Sequence, residues 1–214
     1  FPTRRSSDLT MSITNSSVQV MYNAMLQKAG GDLYVGIMTV INSVREVISM
    51  PVSGLTNSAQ PVLGFNYGAG KYKRARQAIV FMSVASIAYT TLVWMCVHTF
   101  PEFFIRIFNR NGELVAQGIP AMRIYFFGFF MMSLQFAGQA VFVGLGKSKN
   151  AVFFSIFRKV IIVIPLIIIL PTVFHMGTNG ILMAEPVSNF IGGAACFGAM
   201  LLTVWPELKR GGDQ

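Results

Sequence analysis

The chain has 214 residues, 53% of them hydrophobic and only 12% charged, with a mean hydropathy of +0.57. That excludes a disordered segment, which needs low hydrophobicity and high charge, and it leaves too few polar residues to cover a soluble globule. The net charge of +9 does not indicate a nucleic-acid partner, because the basic residues fall in short clusters between long apolar runs, and the two cysteines, Cys96 and Cys196, argue against a disulfide scaffold or a zinc site.

Residues 1–9, Phe1-Pro-Thr-Arg-Arg-Ser-Ser-Asp-Leu9, resemble translated sequencing-adapter read-through and are set aside as a non-native leader. The alternative is a polar cytoplasmic leader. Residues 10–205 then carry six runs that meet the length of about 20 residues needed to cross a bilayer as a helix. They are 10–29, 33–60, 77–100, 119–144, 151–174 and 180–205, and each gap holds a helix breaker or a charge cluster. Residues 206–214 form a tail. The runs are too long for strands and lack the alternation of a membrane barrel. The fold class expected is therefore an all-α polytopic membrane protein with six transmembrane helices.

Lysine and arginine in the loops set the orientation. Lys71, Lys73, Arg74 and Arg76 follow the second run, Lys147 and Lys149 follow the fourth, and Lys209 and Arg210 lie in the tail. The other loops balance their charges. The basic side is expected to be cytoplasmic, with both ends of the segment inside. Arg158 and Lys159 are read as snorkelling toward that side.

Polar residues inside the runs form stripes. At 100° per residue, Asn42, Glu46, Ser49, Ser53 and Gln60 of the second run lie within an arc of about 60°, with Arg45 at its border. Either this is the wall of a polar cavity, with Glu46 as a protonation or cation site, or it is an interhelical hydrogen-bond network that holds the bundle together. Pro51 and Pro61, with Gly54 and Gly64 close by, interrupt the same run and predict a kink. The first run repeats the stripe with Ser12, Ser16, Gln19, Asn23 and Gln27, and the fourth places Gln135 and Gln139 one turn apart. Glu185 of the sixth run, grouped with Ser188 and Asn189, is read as a solvated end near the outer surface. No histidine pair has metal spacing, and no nucleophile-base arrangement is visible, so neither a metal site nor an enzyme is expected.

The stretch from Pro51 to Arg76, PVSGLTNSAQPVLGFNYGAGKYKRAR, resembles the multidrug and toxic compound extrusion (MATE) family. The resemblance rests on Pro51, Gly54, Gln60, Pro61, Gly64, Asn66, Tyr67, Gly68 and Ala69. Further matches fall near Gly146-Lys147, Ser155, Arg158 and Ile164-Pro165-Leu166, and at Glu185-Pro186-Val187-Ser188-Asn189. The resemblance implies twelve spans in two six-helix lobes, of which residues 10–205 are the C-terminal one, with an N-terminal lobe of the same chain as its partner. It implies export of drugs, organic cations or other amphipathic small molecules by antiport with Na⁺ or H⁺, and no other cofactor. It also implies a home in the plasma (inner) membrane of a bacterium, among bilayer lipids. Acidic positions of some branches are Gln19 and Asn23 on the first span here, and Gln135 and Gln139 on the fourth, which leaves Glu46 as the central carboxylate of this half. A flippase of lipid-linked glycans, from the wider superfamily, is the alternative. It calls for more cations in the cavity, for which Arg45 is the candidate.

Overall fold

The computed structural model describes residues 12–211 with their side chains; the leader expected at 1–9 lies outside the described residues. The elements are helices α1 (Pro2–Gly68), α2 (Tyr72–Thr99), α3 (Pro101–Phe108), α4 (Gly112–Tyr125), α5 (Phe129–Gly144) and α6 (Ser148–Ile156), a π-helical segment (Phe157–Val163), α7 (Ile164–Thr172) and α8 (Gly177–Gly211). Among the described residues four helices are long and apolar enough to cross a membrane, or five when α4 and α5 count as one span bent by 49°.

The sixth span comes from α1, which is two helices joined at Gly31. Gly31 takes φ 67° and ψ −164°, a conformation open to a residue without a Cβ. A straight rod from residue 12 to 68 would run about 85 Å, nearly three bilayer cores. Instead Val18, Tyr22 and Leu26 of the first arm share one core with Ile37, Ile41 and Ile48 of the second. Tyr22 also lies within electrostatic reach of Arg45, so the arms run side by side. The backbone dihedrals stay helical through Pro51 and Pro61, so α1 is not interrupted at either. A proline's fixed φ is itself helical, so each removes one hydrogen bond while the backbone dihedrals stay helical, and the break falls at glycine.

The fourth predicted span differs as well. It begins earlier, at Gly112, where the Asn111 side chain accepts hydrogen bonds from the amides of Glu113 (3.0 Å) and Leu114 (3.3 Å). It then bends at Gly128, which has φ 73° and sits against the Phe190 ring. α8 continues through Pro206 to Gly211, so the expected tail extends the last helix.

The loops sort to two ends. At one end Tyr67 donates to a carboxylate oxygen of Glu207, Lys147 pairs with the other oxygen, and the Tyr67 and Tyr72 rings meet edge to face. This clasp joins the α1–α2 turn, the α5–α6 turn and the end of α8, which are the segments holding the basic clusters. At the other end Gly30 lies against Thr178 and Gly36 against Leu114. Three basic segments on one end is the arrangement that the charge pattern requires of an even number of spans.

Small residues let the helices close up near the basic end. A Cβ on Gly64 would lie 2.9 Å from the carbonyl oxygen of Gly144, and one on Gly144 would lie 3.0 Å from that of Gln60. Backbones in such contact leave no room for a side chain. Gly64→Val is expected to destabilise the bundle by about 1–3 kcal/mol, read as a lower midpoint of thermal unfolding in detergent.

Candidate functional site

The apolar interior is divided. One core, toward the Gly31 end, includes Ile41, Ile48, Phe129, Met132, Val163, Ile167 and Leu182. The other, toward the basic end, includes Leu63, Ile79, Ala137, Val141, Ala151, Cys196 and Met200. Between them several helices turn polar groups inward. α2 contributes Ser83, Ser86 and Thr90, α5 Ser133 and Gln135, α6 Ser155, and α8 Glu185, Ser188 and Asn189; Arg158 and Lys159 come from the π-helical segment. The polar belt lies at mid-height in the bundle, where unpaired polar groups are costly.

Its centre is charged. Arg158 Nη1 lies 3.2 Å from Glu185 Oε1 and also donates to the side-chain oxygen of Asn189. Lys159 Nζ lies 3.3 Å and 3.4 Å from the two Glu185 oxygens. Glu185 is 2% exposed, Arg158 7% and Lys159 8%. The cations therefore do not snorkel, and Glu185 is not a solvated end. The reason is local. The π-helical segment has wider turns than an α-helix, and it ends where Pro165 opens α7. A proline clashes with the carbonyl four residues back, which a widened turn relieves. That turn directs two successive long side chains toward α8. There, the absence of a side chain at Gly192 admits the Arg158 stem, since a Cβ would lie 2.6 Å from its Cγ and Cδ.

Arg45 approaches from α1. It is half-buried, and its Nε is buried without a hydrogen-bond partner among the described residues. It lies within electrostatic reach of Glu185 and of the buried Tyr22 and Tyr125. Neighbouring Glu46 is exposed, and it too lies within electrostatic reach of Arg45.

A cavity of about 170 Å³ adjoins the charged centre, lined by Asn15, Met132, Gln135, Phe136, Gln139, Ser155, Arg158 and Lys159. The structure therefore brings Gln135 and Gln139 together with cations that the sequence reading had placed elsewhere. Asn42 is half-buried with its oxygen unpartnered; Gln19 and Asn23 are half-buried on the first arm. Gln60 is remote from the cluster, at the Gly64–Gly144 crossing, where it donates to Asn57. Of the motif residues, Pro51, Gly54 and Pro61 are exposed along α1. Asn66 donates to the Val62 carbonyl, Tyr67 closes the clasp, and Gly68 ends the helix. This part of the motif builds the basic end of the lobe.

The signal for the cluster was depth. Arg158 lies seven residues inside a run starting at 151, about 10 Å along the helix, where a cation needs a partner. Glu185 and Asn189, one turn apart, supply one.

The family described as MatE matches residues 9–169. A curated protein from Shewanella oneidensis, named as an FAD transporter, is 20% identical over 154 residues, which is 72% of this chain and 34% of that protein. Two solved structures of a multidrug resistance MATE family transporter of the MOP superfamily resemble the fold. The outward-facing one has a TM-score of 0.85 at 18% identity, covering 95% of this chain and 45% of its own. The inward-facing one has 0.83 at 18% identity, with 95% and 46% covered. A MOP superfamily transporter from Pyrococcus furiosus, described by the reverse polarity of its binding pocket, has a TM-score of 0.84 at 18% identity, covering 95% of this chain and 44% of that one. The chain thus spans under half the length of each.

Proposed function

The chain belongs to the MatE family, and on that premise we propose that it forms the C-terminal lobe of a two-lobe secondary transporter, which exports amphipathic small molecules in exchange for Na⁺ or H⁺. The observation that carries this reading is the belt of buried polar and charged groups between two apolar cores. Intramembrane charges are expensive and mark pathways for substrates and ions. The half-length match to two-lobe neighbours supports a second lobe of similar size. Alternating access would come from rocking one lobe against the other around a site near mid-membrane. The basic end faces the cytoplasm of a bacterium in this reading, because the loop lysines and arginines collect there.

Drugs and organic cations remain the first substrate class, by analogy with the multidrug neighbours. A flippase of lipid-linked glycans gains support from one observation: Arg158 and Lys159 join Arg45 in the interior, where the sequence reading had Arg45 alone.

Expression in an efflux-deficient bacterial host tests the lobe reading. The two-lobe protein is expected to confer resistance to ethidium, and residues 10–214 alone to confer none. Equal resistance from residues 10–214 would overturn the assignment of this chain as half a transporter.

A further inference from the structure

Resting on the transporter reading, we propose that the cavity walled by Arg158 and Lys159 is an anion subsite, which takes a carboxylate or phosphate group of the transported molecule. The first ground is charge. Three cations, Arg45, Arg158 and Lys159, share the interior with one carboxylate, Glu185. Glu46, the carboxylate nearest in sequence, is exposed and acts on Arg45 less than Glu185 does. A net positive charge held in a low-dielectric interior is stabilised by a counter-charge, and the side chains of this lobe supply only part of it.

The second ground is geometry. Charge-assisted N–H···O bonds usually span about 2.7–2.9 Å. The contacts to Glu185 are 3.2–3.4 Å, so one carboxylate is stretched between two cations. Arg158 Nε is buried with no acceptor among the described residues, and the same holds for Arg45 Nε. Gln135 Oε1, on the same cavity wall, is also buried without a partner among the described residues, so the polar groups around the cavity are incompletely paired.

The third ground is the cavity. Beside Arg158 and Lys159 its wall carries the amides of Gln135 and Gln139 and the Ser155 hydroxyl, groups that can donate to an anion. Its volume of about 170 Å³ is below the roughly 300–1,000 Å³ of sites that enclose a drug-sized ligand. It suits one charged group, with the remaining body of the molecule in the space between lobes.

Two dyes of opposite charge separate the possibilities. The purified two-lobe protein is titrated with carboxyfluorescein and with ethidium, and transport of both is followed in proteoliposomes. Carboxyfluorescein is expected to bind at least tenfold more weakly to Lys159→Gln, while Lys159→Arg, which keeps the charge, stays within about twofold of wild type. Ethidium affinity should not fall in either variant. Carboxyfluorescein binding that ignores Lys159→Gln would overturn the subsite, and would indicate that a carboxylate of the other lobe neutralises the cluster. Transport of ethidium without binding of carboxyfluorescein would overturn the anion proposal and leave the transporter reading intact. Failure to move either dye, together with no resistance in the host, would remove both.

Discussion

Glu185→Leu is expected to destabilise the lobe by about 3–5 kcal/mol, the cost of breaking a buried ion pair from one side. The substitution removes the acceptor of Arg158 and Lys159 while leaving both in a site where they are 7% and 8% exposed. Packing does not soften the loss. The Arg158 stem is seated against Gly192, and Lys159 leaves the same π-helical segment, so neither can swing outward without moving the helix. The triple change Glu185→Leu, Arg158→Met and Lys159→Met is expected to recover most of the stability, because uncharged side chains of similar volume need no partner. Thermal unfolding in detergent, read by fluorescence-detected size exclusion, separates the two. A single-variant loss below about 1 kcal/mol would show that groups outside this lobe hold the two cations.

The contrast states why the cluster is better read as a functional element than as glue. Hydrophobic residues would stabilise this level of the bundle at least as well, and the two apolar cores above and below are built that way. On the transporter reading, a cluster of this kind is retained because its charge is used.

The helices and their order were legible in the sequence because lipid imposes one rule, a run of about twenty apolar residues per span. The breaks at Gly31 and between residues 69 and 71 were legible for a similar reason, since glycine and charge both end a membrane helix. Gly128 is the instructive exception. It sits inside an apolar run, and only its positive φ and the Phe190 ring against it turn one predicted span into two helices at 49°. Pro51 and Pro61 act differently from the glycine: each removes a hydrogen bond but leaves the backbone dihedrals helical, so neither ends α1. For the site, periodicity found Gln135 and Gln139, which line the cavity beside Arg158 and Lys159. It could not find the pairing of Arg158 and Lys159 with Glu185, because the wider turn of the π-helical segment shifts the residues off the 100° step of an α-helix. Charge alone reads the two cations together as reaching for the basic side. The side of α1 that faces inward was also ambiguous by one residue, which is enough to exchange Arg45 for Glu46.

Glu46→Gln is expected to leave the fold within about 0.5 kcal/mol of wild type and to flatten the Na⁺ or pH dependence of export by the two-lobe protein. The first half follows from exposure. Glu46 is exposed, and its carboxylate makes no hydrogen bond or ion pair among the described residues. The second half follows from depth. Fifteen residues past the break at Gly31, it stands about 22 Å along the second arm, inside a bilayer core of about 30 Å. A charged residue facing lipid there costs about 2.5–3.5 kcal/mol even on insertion scales. On the transporter reading, the face that carries it, with half-buried Asn42, Ser49 and Ser53, is the one turned to the proposed second lobe, and the exposed Val47 and Met50 flank it. On the transporter reading a carboxylate on that face is open to a cation or proton in one conformation and screened in the other. Equal folding with wild-type ion dependence would move coupling to a carboxylate outside residues 10–214. Reduced stability with ion dependence intact would make Glu46 an anchor for a basic group on the facing lobe, and the cleft would then be held shut by charge pairing at that level.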